Sequence, residues 1–123
     1  MQRRILYINT MVFVIISYVS CISAYGQIQQ QTIHINQGSS SPSNFEFYSQ
    51  PYIEVQRSDS ISWNNDDSVK HTITFADTNA LRTGLGDDTV APGDSIIYHF
   101  NAPGVYDYYD RFYPFMTGRV VVR

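Results

Sequence analysis

The chain has 123 residues, which leaves room for a single domain. Its formal net charge is −3, and the apolar first 26 residues carry two of the basic side chains and none of the acidic ones. Residues 27–123 therefore hold six basic against eleven acidic side chains, a net charge of −5, which argues against nucleic acid or an anionic membrane surface as a partner.

Residues 1–26 read as an N-terminal apolar leader. Arg3 and Arg4 form a positive start, an almost uncharged stretch runs from Ile5 to about Ile22, and Ala24-Tyr25-Gly26 has the small residues of a cleavage site before Gln27. The segment is also long enough for an uncleaved membrane anchor, since about 20 apolar residues span a bilayer. Cys21 raises lipid attachment as a third possibility, although Tyr18-Val19-Ser20 makes a poor lipidation signal. All three place the domain, residues 27–123, in an extracytoplasmic compartment, with membrane contact only through the leader. Cys21 is the sole cysteine, so the 97 residues after the leader must hold together without a disulfide. Aromatic residues, 15% of the chain, suit that task because each buried ring removes much apolar surface from water.

Gln27–Gln31 is polar and is expected to be mobile. Thr32–Ile35 alternates as a short strand, and residues 37–43 form a Gly-, Ser- and Pro-rich loop. Phe45-Glu46-Phe47 and Tyr52–Val55 alternate apolar with charged side chains, as half-buried strands do. Further strands are expected at Ser60–Trp63, His71–Phe75, Ser95–Phe100, Val105–Tyr109 and Arg119–Arg123, with a long irregular loop over residues 76–90. No segment holds a helical period for more than about a turn. The expected fold is all-β, a sandwich or barrel, with antiparallel pairing because most connections are short.

Four pieces of sequence, in order, resemble the cupredoxin family, and in particular its plastocyanin-like and amicyanin-like domains. They are Ser60-Ile61-Ser62-Trp63-Asn64-Asn65-Asp66-Asp67, Lys70-His71-Thr72-Ile73-Thr74-Phe75, Ala91-Pro92-Gly93-Asp94-Ser95, and the run from Ala102-Pro103-Gly104 through Tyr109 to Val122. The resemblance implies a Greek-key β-sandwich, a blue copper, electron-transfer domain whose metal is held by a histidine after the W-N-N loop and by three ligands on the last long loop, Y-C-x-x-H-P-x-M. Here that loop reads Tyr109-Asp110-Arg111-Phe112-Tyr113-Pro114-Phe115-Met116. By the resemblance His71 matches the first histidine and Met116 the axial methionine. Asp110 stands in the place of the cysteine and Tyr113 in that of the second histidine.

Those two replacements change the chemistry. A blue site is trigonal, with two imidazoles, one thiolate and a weak axial thioether, and the thiolate supplies the covalency that gives colour and fast electron exchange. Carboxylate is a hard donor that poorly stabilises Cu(I), and phenol must lose a proton with an ordinary pKa of about 10 before it coordinates well. Blue copper is excluded on this set. Two arrangements stay open: a polar plug, Asp110–His71 or Asp110–Tyr113, sealing a vacated metal pocket, or a non-blue copper site using His71, Asp110, Tyr113 and Met116.

His34 lies between Ile33 and Ile35 and is expected to face solvent, as is His99 between Tyr98 and Phe100; the two could share a metal only if the fold joined them. Asp66-Asp67 and Asp87-Asp88 lack the ligand spacing of a calcium loop and are expected to be solvated. No G-x-S-x-G, H-E-x-x-H or phosphate-cradling glycine loop is present, so an enzyme is not expected. The aromatic loop 109–116 is the candidate docking surface for a protein partner, on a domain expected to be a monomer.

Overall fold

The computed structural model describes residues 26–76 and 85–123. The expected leader, apart from its last residue Gly26, and residues 77–84 of the 76–90 loop lie outside the described residues. Eight strands are formed: β1 (Gln30–Ile35), β2 (Tyr52–Val55), β3 (Ser60–Asn65), β4 (His71–Phe75), β5 (Asp87–Val90), β6 (Ser95–His99), β7 (Gly104–Tyr109) and β8 (Thr117–Val122). They make two sheets, ordered β1-β3-β6 and β2-β8-β7-β4-β5, which pack face to face as a sandwich. The all-β expectation holds.

Pairing is not antiparallel throughout. β1 runs parallel to β3, with Ile33 opposite Trp63, and β2 runs parallel to β8, with Ile53 opposite Val120. The reason is topological: the chain leaves the first sheet after β1, forms β2 in the second and returns as β3, and such a crossover brings the chain back beside β1 in the same direction.

Three local expectations also change. Gln30 and Gln31 are not loose; they belong to β1, and Asp59 accepts the Gln29 amide at 2.8 Å. Phe45–Phe47 is not a strand: it leads only to an isolated bridge between Tyr48 and Ile35, and Phe45 is 88% exposed. Its alternation comes instead from Phe47 turning to meet Phe115, ring centroids 5.2 Å apart. Asp87–Val90, expected as loop, forms β5 at the edge of the larger sheet, where Thr72 pairs with Thr89. Two aspartates hide a strand from a propensity argument, because pairing with β4 supplies what intrinsic preference does not.

Trp63 sits fully buried at the centre of the core. Around it stand Tyr98 at 5.8 Å, Phe75 at 6.2 Å and Tyr108 at 5.2 Å between centroids, all near edge-to-face, the arrangement the ring quadrupole favours. Gly118 is required beside this cluster. It pairs across the strands with Tyr108, and a Cβ there would lie 2.1 Å from that ring's Cζ.

Candidate functional site

β4 begins at His71 and all five of its residues are buried, which carries the imidazole into the interior at one end of the sandwich. β7 ends at Tyr109, so the next residue, Asp110, continues inward beside it with no exposed surface. Asp110 then closes its own loop. Its amide donates to the Met116 carbonyl at 3.1 Å, and the Met116 amide donates to the Tyr113 carbonyl at 2.9 Å. Asp110 Oδ1 accepts the amides of Phe112 at 2.8 Å and Tyr113 at 3.2 Å, the local side-chain-to-backbone bonding to which aspartate is suited. Thr72 ties the loop to β4: its hydroxyl accepts the Arg111 amide at 2.8 Å and its own amide donates to Asp110 Oδ2 at 3.2 Å.

His71 is bonded on both sides. Its Nδ1 lies 2.6 Å from Asp110 Oδ2, and its Nε2 lies 2.8 Å from Asp67 Oδ2. Asp67, expected to be solvated, is therefore corrected to a buried member of the site. Its other oxygen accepts the amides of Gly38 at 3.0 Å and Ser68 at 2.8 Å. Asn65 sets this up at the end of β3 by accepting the Asp67 amide at 2.9 Å while its own amide group holds the carbonyls of Val69 and Val90. The sequence signal was the four-residue spacing between Asp67 and His71, which becomes informative only once the intervening loop is known to fold back.

Both nitrogens of an imidazole can donate only in the protonated ring. Burial by itself pulls the His71 pKa down, but the hydrogen bonds to Asp110 and Asp67 and their charges outweigh it and the net shift is upward. Burial likewise pushes Asp67 up, and the Gly38 amide, His71 and the Ser68 amide together reverse it, leaving its pKa below the ordinary range. The geometry suits a protonated His71 ring that donates from both nitrogens, to Asp110 and to Asp67, and backbone amides donate to the other oxygen of each aspartate.

Of the four predicted ligands, His71 and Asp110 meet directly. The Tyr113 ring lies 5.2 Å from the imidazole between centroids, tilted by 52°, and Tyr113 reaches Asp110 through its amide. Met116 is fully buried in the core cluster. Arg111 turns away to Asp87 at 2.9 Å. His34 faces outward, as expected, and pairs with Asp66 at 2.6 Å. His34 and His99 stay apart: on β3 their partners are Asn64 and Ser60, at opposite ends of the strand. Asp87 and Asp88 are bonded rather than free, Asp87 to Thr74 and Asp88 to Tyr98.

The two-sheet sandwich with its polar loop at one end is the architecture of a cupredoxin. No protein-family model matches the chain. A purple cupredoxin from Nitrosopumilus maritimus superposes with a TM-score of 0.65 at 30% identity, covering 76% of this chain and 99% of that one. Amicyanin-alpha of Methylorubrum extorquens is 28% identical over 72 residues, which span 58% of this chain and 60% of the relative, so less than two thirds of that protein is matched. Amicyanin from Paracoccus versutus shares the fold, with a TM-score of 0.59 at 18% identity over 82% of this chain and 86% of its own. The chain belongs to the cupredoxin family of copper-binding electron-transfer proteins.

Proposed function

We propose that this cupredoxin does not perform blue-copper electron transfer, and that it works as a copper-free module, outside the cytoplasm, docking a protein partner through its aromatic end. The observation that carries this reading is the double engagement of His71. Asp110 Oδ2 lies 2.6 Å from Nδ1, the distance of a strong charged hydrogen bond. A metal bonded to both atoms at about 2.0–2.1 Å would be squeezed to a nitrogen–metal–oxygen angle of about 80°, far from trigonal or tetrahedral. Asp67 gives no help, since it sits on the opposite nitrogen of the same ring, and no single ion reaches both carboxylates together with the imidazole. The donor set argues the same way. It has no thiolate, and the Tyr113 ring packs against His71 at a tilt of 52°. The leader pattern of residues 1–26 supports the location.

The docking half of the reading rests on exposure. Phe112 is 45% and Phe115 39% exposed around the site, with Lys70 Nζ lying 5.3 Å from the Phe112 ring centre. Exposed aromatic side chains grouped on one end of a small domain are the residues that dominate protein interfaces.

Copper titration tests the first half. The full chain, exposed to Cu(II) and separately to Cu(I) and then dialysed, is expected to retain no stoichiometric copper and to show no intense visible band. One copper per chain, lost in His71→Ala, would overturn the copper-free reading in favour of a non-blue site. A second variant, Asp110→Cys with Tyr113→His, is expected to bind copper and turn coloured, since it restores the missing donors to a loop whose backbone is already in place.

A further inference from the structure

The core contains four buried tyrosines, and they differ in what can take the phenolic proton. The hydroxyls of Tyr48 and Tyr108 have no hydrogen-bond partner among the described residues. The Trp63 indole N–H approaches Tyr108 without reaching hydrogen-bond geometry, and as a donor it has no use for a proton. Tyr106 donates to the Ala102 carbonyl at 2.7 Å, a very weak base. Tyr98 alone among them donates to a carboxylate, Asp88 Oδ2, at 2.5 Å. That bond joins β6 of one sheet to β5 of the other. The Tyr98 ring also stands edge-on to Trp63 at 5.8 Å, and Trp63 to Tyr108 at 5.2 Å, so the most easily oxidised side chains of the core touch one another and end at the one phenol with a base.

We propose that Tyr98 is a proton-coupled electron-donor site, at which a one-electron oxidant removes an electron while Asp88 receives the phenolic proton. The Tyr98 O–H bond breaks, the proton passes to Asp88 Oδ2, the electron leaves to the oxidant, and a neutral phenoxyl radical remains next to a neutral carboxylic acid. The short contact lets the proton move as the electron departs, so no phenol cation need form inside the core, where an uncompensated charge is costly. Among the described residues the Trp63 N–H has no hydrogen-bond acceptor, so an electron vacancy arriving there passes on to Tyr98. The ordinary phenol is kept fully protonated at rest: burial first, then the bond to Asp88, raises its pKa. This site is independent of the His71 cluster, and it holds whether or not the chain binds copper. The class of oxidant it would meet is a freely diffusing one-electron radical or a high-potential metal complex.

The exposed pair Tyr52–Glu54, also hydrogen bonded at 2.7 Å, is the built-in control, because it lies outside the aromatic core. Flash photolysis of the full chain with a ruthenium(III) polypyridyl complex, read by transient absorption and freeze-quench EPR, should give a neutral tyrosyl signal. It is expected to vanish in Tyr98→Phe, leaving a tryptophan-derived signal, and to persist in Tyr52→Phe. Asp88→Asn is expected to slow its formation about a hundredfold, the lower end of what a positioned base contributes to proton transfer. An unchanged tyrosyl spectrum in Tyr98→Phe, or an unchanged rate in Asp88→Asn, overturns the proposal. If Tyr98→Phe does not fold, 3-fluorotyrosine placed at position 98 answers the same question: fluorine coupling in the radical spectrum supports the site, and its absence rejects it.

Discussion

Two interiors lie within this one small sandwich, and they are held by different physics. Around Trp63 the side chains are apolar or aromatic, and stability comes from area removed from water plus ring contacts of about 0.5–1.5 kcal/mol each. Around His71 three ionisable side chains share almost no surface with solvent, and they stay there only because each lone pair and each proton has a partner. The first interior adds up from many replaceable contacts. The second is all-or-none, and removing one member leaves a buried charge stranded.

The largest effect that tests this contrast is Trp63→Ala, expected to cost about 3–5 kcal/mol in a denaturant titration, as large-to-small changes of an aromatic do. Asp110→Ala is expected to approach the same loss, about 3–5 kcal/mol, although far less area is involved, because it strips a buried imidazolium of one partner. A double-mutant cycle with His71→Ala separates the two kinds of interior: a coupling of about 1–3 kcal/mol is expected for His71 with Asp110, and additivity for His71 with Trp63 would confirm that the regions act separately. Gly118→Ala is expected to cost about 1–3 kcal/mol by overpacking against Tyr108, which shows that the aromatic interior is limited by shape rather than by charge.

Acid and base distinguish the two interiors further. His71 has its folded pKa raised above the usual 6.5, so its contribution is complete below pH 6.5 and is lost as pH rises through the folded value. Asp67 is depressed below its usual 3.8, so its contribution is complete above that pH and is lost as pH falls through its folded value. Unfolding free energy should therefore be greatest between about pH 4 and 6.5 and decline on both sides. In His71→Ala the alkaline decline should disappear, and a decline of unchanged slope would reject the charged triad. The smallest effect is expected from Phe45→Ser, within about 0.5 kcal/mol of the parent protein, since a side chain 88% exposed supports no core.

Much of the aromatic interior was legible in the sequence. Ile61 and Trp63 on one face, the alternation of His71 to Phe75, and the turn residues between them are short-range signals, and each places a strand without knowledge of its neighbours. The polar interior was legible only in part. The resemblance brought His71 and Asp110 together, but Asp67 next to Asp66 looked like loop charge, because adjacent aspartates are usually solvated and nothing local separates the one facing inward from the one facing His34. β5 escaped for a similar reason: two aspartates lower strand preference, and only their bonds to Thr74 and Tyr98 show why they are tolerated. The strand expected at Phe45–Phe47 failed in the opposite sense, its alternation satisfied by Phe115 instead of a partner strand.

By itself the sequence determined the all-β character, most strand positions and the absence of any cysteine, and so of any disulfide, from residues 27–123, since each depends on residue type or on period-two spacing. Only the tertiary structure decided the two parallel pairings, the inward turn of Asp67 and the pairing of Tyr98 with Asp88. These depend on which strand ends and loops meet in space, and partners such as Ile53 and Val120, or Tyr98 and Asp88, lie too far apart along the chain to carry a local signal of one another.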